Sequence, residues 1–256
     1  MLLSVVIPMY NESQNVRKAI NELTAAMRSS GEEFELLFSD DGSTDGCAGI
    51  VSEYTQSHPE IRLLCHPENR GKGAAVREGM LAARGRYIVF TDCDLAYGAK
   101  SVTDMFSALQ TGNSDIIIGS RTLRPGGYGG YTGVRKFISK NYLSLVKTLS
   151  GFPHSDSQCG IKGFTAKAAK EIFSLCQTDG FAFDLEALML AEKLKYKIKE
   201  MPVCVLTHAE HASKVRLLPD ALKMLADIRK IKKRLRGNPP ASPYSTPADP
   251  SDNDGT

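Results

Sequence analysis

The chain has 256 residues, of which 42% are hydrophobic and 24% charged, and its formal net charge at pH 7 is +3. A chain of this length can bury a sizeable core, in one large domain or two small ones. The small net charge argues against a polyelectrolyte role, so we expect no nucleic-acid partner. The six cysteines show neither a C-x-x-C pair nor zinc-like spacing, which favours free thiols in a reducing, cytoplasmic compartment.

The first 120 residues alternate short apolar runs with segments of helical period. After the first apolar run, Val16, Ala19, Ile20, Leu23 and Met27 mark one face of a helix. This alternation predicts an α/β fold with a mostly parallel, Rossmann-like sheet and helices on both faces. Ligands of such folds bind beyond the carboxyl ends of the strands. The predicted strands are 2–8, 34–39, 61–65, 86–92 and 115–120.

After Arg121 the pattern changes to a Gly-rich loop at 124–133 and a helix at 134–150, with a further strand expected within 198–206. The segment 217–235 carries apolar residues at helical spacing and overlaps "RKIKKRLR" (229–236). Such a helix can be a solvated face or a membrane-surface element. Five prolines follow Gly237, which predicts a disordered tail.

No apolar stretch approaches the roughly 18 residues that would span a bilayer. The first residues also lack a basic segment followed by a long apolar core, so they do not indicate a signal peptide. We therefore expect a soluble or peripheral protein.

Polar clusters follow four of the predicted strands. A pair such as Asp-Gly is also typical of a simple turn, so "DDGS" can be either a turn or part of a ligand site. Together, however, the clusters bring at least four carboxylates and an arginine to one edge of the sheet. Crowded carboxylates need a cation or hydrogen-bond donors nearby. The clusters are Pro8 to Glu12, "SDDGSTDG" (39–46), "TDCDLAYG" (91–98) and Gly119-Ser120-Arg121.

Asp92 and Asp94 follow the fourth strand and are separated by one residue. Residues i and i+2 of a strand point to the same side, so these two carboxylates are expected to converge while Cys93 faces the opposite way. Hard carboxylate oxygens suit Mg²⁺ or Mn²⁺, ions that often share their ligands with phosphates. The pair therefore predicts a metal site that handles a diphosphate.

Further motifs follow one another along the chain: "VVIPMYNE", "SDDGSTD", "NRGKGAAVREGM", "GRYIVFTDCDLAYG", "IIIGSR" and "DSQCGIKGFTAKAAKEIF" with "GFAFDLEAL". In these motifs and their order the chain resembles family 2 glycosyltransferases with the GT-A fold, over about residues 2–215. The second half is most similar to the polyprenyl-phosphate branch, which contains dolichyl-phosphate β-glucosyltransferases and dolichol-phosphate mannosyltransferases. "DSQCGIKGF" with "FAFDLE" is nearer the glucosyltransferase form.

The resemblance implies roles for individual residues. Asp94 ligates the metal directly, and Asp92 assists through sugar, ribose or metal-bound water. Arg121 faces a phosphate, for which a planar guanidinium is better suited than an ammonium. The nucleotide base and ribose contact Pro8, Tyr10, Glu12, Asp40 and Asp41, while the basic residues Arg135 and Lys214 meet the acceptor phosphate. Gln158 matches a further motif position, and we assign it to the acceptor site together with these two residues.

The implied reaction is inverting transfer of a hexose from UDP-glucose or GDP-mannose to a polyprenyl phosphate, dolichyl or undecaprenyl. A phosphate acceptor is already anionic at pH 7, so a general base is not required. The implied location is the cytoplasmic membrane face, reached through the helix 216–236 or a membrane-protein partner. The implied domains are 1–215 for the GT-A fold, 216–236 for the helix and 237–256 for the tail.

Four other functions stay open at this stage. The chain could act on a saccharide or another non-lipid hydroxyl, or bind a nucleotide-sugar without catalysis. A sugar nucleotidyltransferase would share the diphosphate chemistry, but its Gly-rich, basic signature is absent near the N-terminus. A signalling receiver domain also places acids at strand ends, but it is about half this length.

Several residues have a second interpretation. "RGKG" lacks the Lys-Ser/Thr of a P-loop and is more typical of a strand-to-helix turn, in which Lys72 can still contact a phosphate. Asp184 precedes an apolar helical run and is as compatible with an N-cap as with a ligand. Ala96 and Tyr97 occupy positions where the mannosyltransferases carry a polar pair, so we expect them to alter sugar contacts.

Overall fold

The computed structural model describes residues 1–129, 131, 133–206, 217–237 and 242–244. Seven strands and eight helices lie within these ranges. The strands are β1 (Leu3–Met9), β2 (Phe34–Asp40), β3 (Ile61–Cys65), β4 (Tyr87–Thr91), β5 (Ile116–Ser120), β6 (Ile161–Thr165) and β7 (Ile198–Pro202). The helices are α1 (Val16–Ser30), α2 (Cys47–Thr55), α3 (Lys72–Ala82), α4 (Ala99–Gln110), α5 (Gly133–Ser150), α6 (Ala166–Leu175), α7 (Phe183–Lys193) and α8 (Leu217–Arg234).

All seven strands form one sheet in the order β3-β2-β1-β4-β6-β5-β7. β1 pairs in parallel with β2 and β4, and β5 pairs in parallel with β7. β6 is inserted between β4 and β5 and runs antiparallel to both. The prediction of a mostly parallel sheet is confirmed. The carboxyl ends of β1, β2 and β4 consequently meet at one edge, because their registers are parallel.

The central strands are buried on both faces, as a doubly covered parallel sheet requires. Val6, Leu37 and Phe90 point into a core shared with α3, α5, α6, α7 and α8. Their chain neighbours, including Val5 and Val89, point into a second core shared with α1, α2 and α4. The helices therefore cover both faces, as predicted.

The described half of α8 packs onto the first core. Ile228 and Ile231 are each only 1% exposed. The basic residues between and after them, by contrast, are mostly exposed: Arg229, Lys230, Lys232, Lys233 and Arg236. Within the described residues no helix is both long and apolar enough to cross a membrane.

All six cysteines are free thiols, as predicted, and Cys47, Cys93, Cys159 and Cys176 are buried. The tail predicted at 237–256 lies outside the described residues, apart from 237 and 242–244.

Candidate active site

The acidic pair follows β4 in a turn rather than in the strand itself. β4 ends at Thr91, and Leu95, with φ +48°, closes the turn by donating its N–H to the carbonyl of Asp92 at 3.0 Å. The alternation of a strand therefore does not explain the convergence of Asp92 and Asp94, and that part of the sequence argument is wrong. The prediction for Cys93 is confirmed, because its side chain is buried in the core.

Asp92 is held from two sides. Lys72, the first residue of α3, places its Nζ 2.5 Å from Asp92 Oδ1. Gly160 abuts the other oxygen, since a Cβ at this position would lie 2.1 Å from Asp92 Oδ2. Burial lowers the pKa of Lys72, but the charges of Asp92 and Asp184 more than offset this and raise it overall. The lysine is therefore a cation fixed inside the acidic cluster.

Asp94 lies beside Asp92, and its Oδ1 accepts the N–H of Ala96 at 3.0 Å. Burial, and next the charge of Asp92, raise the pKa of Asp94, and Glu12 contributes in the same direction. This oxygen-rich donor set fits Mg²⁺ or Mn²⁺. Among the described residues no group of three or more His, Cys, Asp or Glu side chains is arranged to hold a metal ion, so an ion here would also need ligands from a bound substrate.

The segments after β1 and β2 are joined by hydrogen bonds at the same edge. Ser43 Oγ accepts the N–H of Asn11 at 2.9 Å, and Asn11 Oδ1 accepts the N–H of Thr44 at 2.9 Å. Asn11 takes a left-handed φ of +52°, which asparagine tolerates better than most residues. Asp40 accepts the N–H of Ser43 at 3.2 Å, and Tyr10 is exposed beside this edge.

Asp41 is occupied by protein groups. Its Oδ1 accepts the N–H of Arg70 at 2.9 Å, and its Oδ2 accepts the N–H of Gly71 at 2.8 Å. The imidazole of His66 contacts the same carboxylate at 3.0 Å. Asp41 therefore supports the turn before α3, and both of its carboxylate oxygens accept hydrogen bonds from protein groups.

The N-terminus of α3 is closed by the loop before α7. The carbonyl of Asp179 accepts the N–H groups of Gly73 at 2.7 Å and Ala74 at 3.3 Å. A phosphate cannot use these groups without displacing the loop. Because Gly71 is the N-cap of α3, the interpretation of "RGKG" as a strand-to-helix turn is confirmed.

A buried ion pair lies near the acidic edge, the part of the site formed by Asp92 and Asp94. Lys162 Nζ, fully buried on β6, lies 2.6 Å from Asp184 Oδ1 and donates to the carbonyl of Cys159 at 2.6 Å. The N-cap of α7 is Ala182, so the N-cap interpretation of Asp184 is wrong. Burial raises the pKa of Asp184, and the charges of Lys162 and Lys72 oppose that rise.

Arg121 forms a second buried pair. Its Nε and Nη2 donate to the two oxygens of Asp156 at 2.7 and 2.8 Å, and its Nη1 donates to Tyr131 Oη at 3.1 Å. The guanidinium also lies 5.4 Å from the ring centroid of Tyr128. This bidentate geometry fixes the Gly-rich loop to the segment before β6. The sequence predicted a phosphate contact for Arg121, but the described partners of its side chain are protein groups.

Tyr97 lies between the segment of Asp92 and Asp94 and the side chain of Arg121. Its ring is buried, and its Oη accepts the N–H of Gly160 at 3.4 Å, near Arg121. Burial raises the pKa of Tyr97 well above its ordinary value, so the phenol stays protonated. Ala96 accepts the N–H of Leu206 at 2.8 Å. Tyr97 therefore faces the interior, and the expected change in sugar contacts cannot come directly from its side chain.

A basic cavity opens on the other side of Arg121. Its volume is about 430 Å³, and it lies between the Gly-rich loop and α5. Arg124, Lys136 and Lys147 are solvent-exposed cations of its lining, and none of the described lining residues is acidic. The lining is Arg121, Thr122, Arg124, Pro125, Gly126, Gly127, Tyr128, Lys136, Leu143, Ser144, Lys147 and Ser155.

Comparison with known proteins decides the family. The sequence model described as "Glycosyl transferase family 2" matches residues 4–173. The chain belongs to this family. It is 32% identical over 244 residues to the dolichyl-phosphate beta-glucosyltransferase of Saccharomyces cerevisiae, which covers 88% of this chain and 72% of that protein. It is 34% identical over 208 residues to a dolichyl-phosphate beta-glucosyltransferase of Trichomonas vaginalis, with 77% and 62% covered. The chain thus spans less than two thirds of the Trichomonas relative.

Solved structures confirm the GT-A fold of this family 2 member. Glucosyl-3-phosphoglycerate synthase from Mycobacterium tuberculosis, in complex with Mn²⁺, UDP and phosphoglyceric acid, superposes with a TM-score of 0.67 at 20% identity, covering 94% of this chain and 80% of that chain. Mannosyl-3-phosphoglycerate synthase from Rubrobacter xylanophilus gives 0.62 at 16% identity, covering 98% and 79%. At these identities the likeness establishes the fold alone.

The other residues that the sequence predicted for the site of this glycosyltransferase differ in their burial, in their contacts and in whether the structure describes them. Pro8 is buried within β1, and Glu12 accepts an N–H of Asn15 at 2.6 Å. Gln158 is half-buried, and its Nε2 has no partner among the described groups. The side chain of Arg135 and the whole of Lys214 lie outside the described residues.

Four residues that matter for the site were not predicted: Asp156, Lys162, Gly160 and His66. The first three belong to "DSQCGIKGF", so the motif itself was the available signal. Asp156 and Lys162 pair with Arg121 and Asp184, which lie 35 and 22 residues away along the chain, and neither spacing nor periodicity identifies such pairs.

Proposed function

We propose that this chain is an inverting glycosyltransferase that transfers glucose from a nucleotide-sugar to a polyprenyl phosphate such as dolichyl phosphate. The names of its relatives support both the sugar and the acceptor. The observation that carries the proposal is the adjacency of an acidic edge, formed by Asp92 and Asp94, and a basic cavity. The two are joined through Gly160, Tyr97 and Arg121.

The acidic edge is the proposed donor site. Asp94, assisted by Asp92, would hold Mg²⁺ or Mn²⁺ together with diphosphate oxygens. When bound, the ion supplies positive charge that stabilises the departing nucleoside diphosphate. Lys72 lies close enough to Asp92 to add a cation on the same side. Tyr10, Glu12 and Asp40 are the proposed contacts of the base and ribose.

The basic cavity is the proposed entry of the acceptor phosphate. Arg124, Lys136 and Lys147 line it and provide charge for a phosphate. Leu143 and Pro125 add apolar surface suited to the first part of a lipid chain. Because a phosphate oxygen is already anionic, it can attack the anomeric carbon without a protein base.

We also propose peripheral association with an anionic membrane at its cytoplasmic face. Ile228 and Ile231 are buried against the domain, so this part of α8 is not available to insert its apolar residues into a bilayer. Arg229, Lys230 and Lys233 are exposed instead. The binding energy of this segment would then come from charge.

A thermal-shift screen tests the donor site. Because a bound ligand stabilises the native state, saturating donor at a hundred times Kd adds about 2.7 kcal/mol. We expect UDP-glucose with Mn²⁺ to raise the Tm more than GDP-mannose does, and Asp94→Ala to remove this shift. Asp104→Ala, an exposed aspartate paired with Lys100 on α4, is the matched control. An undiminished shift in Asp94→Ala would refute the metal-site assignment.

A further inference from the structure

His66, directly after β3, lies between two carboxylates from different elements. Its Nδ1 is 3.0 Å from Asp41 Oδ1, and its Nε2 contacts Glu78 Oε2 on α3. Its backbone N–H donates to the carbonyl of Asp40 at 2.8 Å. The ring is buried, with an exposed fraction of 6%. Only an imidazolium, protonated at both nitrogens, can donate to both carboxylates at once.

The carboxylate that His66 contacts also holds the turn before α3. Asp41 accepts the N–H groups of Arg70 and Gly71. Gly71 has φ +115°, and a Cβ there would lie 2.4 Å from the carbonyl oxygen of Asp179. The turn therefore has little freedom once Asp41 is oriented. The next residue, Lys72, is the one whose ammonium contacts Asp92.

We infer that His66 is a positioning residue of the donor site, which acts through Asp41 on the turn that presents Lys72. The inference rests on the proposed function, because it assigns a role within that donor site. His66 itself touches no reacting group. Its part is to fix the rotamer of Asp41 while Glu78 fixes the ring from the other side.

The electrostatics of the pocket agree with a charged ring. Burial lowers the pKa of His66, but the hydrogen bonds and charges of Asp41 and Glu78 more than offset this, so the pKa is raised overall. Asp41, which follows β2, and Glu78, on α3, are the described charged groups in contact with the ring. As the pH rises through the raised pKa, the neutral ring can donate to only one of them. Asp41 then loses part of its restraint.

Amide hydrogen exchange on the full chain without ligand tests the inference directly, because it reports local opening at the turn. The variants are His66→Ala, which removes both contacts, and His66→Asn, whose amide can still donate toward Asp41. His58→Ala is the matched control, since the hydrogen bonds of that ring to described residues are with its chain neighbours Ser57 and Tyr54. The Tm of each variant verifies folding.

At pH 6 we expect His66→Ala to speed exchange of the Gly71 amide about tenfold or more. His66→Asn should restore most of the protection, and His58→Ala should leave it unchanged. Above the pKa of His66, wild-type protection should fall, whereas that of His66→Asn should not depend on pH. Unchanged exchange at Gly71 in His66→Ala would overturn the inference. If His66→Ala does not fold, a pH-dependent loss of protection in His66→Asn equal to that of wild type overturns it.

Donor affinity provides the functional readout. In His66→Ala we expect the KM for the nucleotide-sugar to rise about tenfold with a smaller change in kcat, because a binding contact is displaced. A wild-type protein that binds no nucleotide-sugar would refute the proposed function, and the exchange data on the unliganded chain would still decide the role of His66. Normal donor binding in all variants, with unchanged exchange, would refute the role of His66 alone.

Discussion

Lys72 Nζ lies 2.5 Å from Asp92 Oδ1, so the acidic edge contains its own cation. Two neighbouring carboxylates repel each other, and the ammonium offsets that repulsion. The opposite side of Asp92 is closed by Gly160, where only a residue without a Cβ leaves room for the carboxylate. Asp92 is therefore held by the ammonium group of Lys72 on one side and by close packing against Gly160 on the other.

Gly160→Ala should displace Asp92, because the added Cβ would lie 2.1 Å from Oδ2. We expect kcat/KM to fall about a hundredfold, since displacements of about 1 Å in an active site have such effects. Steady-state kinetics with saturating Mn²⁺ provides the measurement. Gly49→Ala is the matched control: it meets nothing within 4 Å in α2 and should increase stability by up to about 1 kcal/mol. Equal activity of the two variants would contradict the packing argument.

Removing charge from the basic cavity should weaken binding of the acceptor and leave binding of the donor unchanged. A hydrogen bond to a charged group contributes about 1.5–3 kcal/mol, so Lys136→Ala and Lys147→Ala should each raise the KM for polyprenyl phosphate roughly tenfold or more. The donor Kd, measured by calorimetry, should stay the same. Lys18→Ala on α1, which covers the other face of the sheet, is the control. A loss confined to donor affinity would assign the cavity to the nucleotide-sugar instead.

The basic face of α8 should bind anionic vesicles in a salt-dependent manner. Each Lys or Arg near such a surface contributes about 1 kcal/mol, so replacing Lys230 and Lys233 with Gln should weaken binding by roughly thirtyfold. Vesicle flotation at low and high salt measures this. The double variant Lys18→Gln/Lys100→Gln removes the same charge elsewhere. Equal weakening by both double variants would show that vesicle binding depends on the net charge of the protein and not on the basic face of α8. Vesicle binding that does not change with salt would indicate insertion of apolar residues.

The sequence was sufficient for six of the seven strands and for the edge at which the acids collect, but it did not predict β6. Periodicity determines these features, because buried strands and amphipathic helices leave a regular apolar pattern. The position of β6 was not predictable, since no local pattern distinguishes an antiparallel insertion between β4 and β5 from a further parallel strand.

The internal partners of the site depend on that insertion. Asp156 and Lys162 reach Arg121 and Asp184 only because β6 and the segment before it lie beside β4 and β5. The sequence therefore indicated which residues are polar and near strand ends. It could not indicate that the side chains of Arg121 and Asp41 form hydrogen bonds with protein groups rather than with a ligand.

The central claim is that the acceptor is a phosphate, and one transfer assay tests it most directly. Purified protein is incubated with Mn²⁺, radiolabelled UDP-glucose and either a polyprenyl phosphate or the corresponding polyprenol in the same detergent. We predict a labelled lipid from the phosphate and none from the alcohol, because the basic cavity supplies charge and the reaction has no assigned base. Equal transfer to the polyprenol would contradict the account.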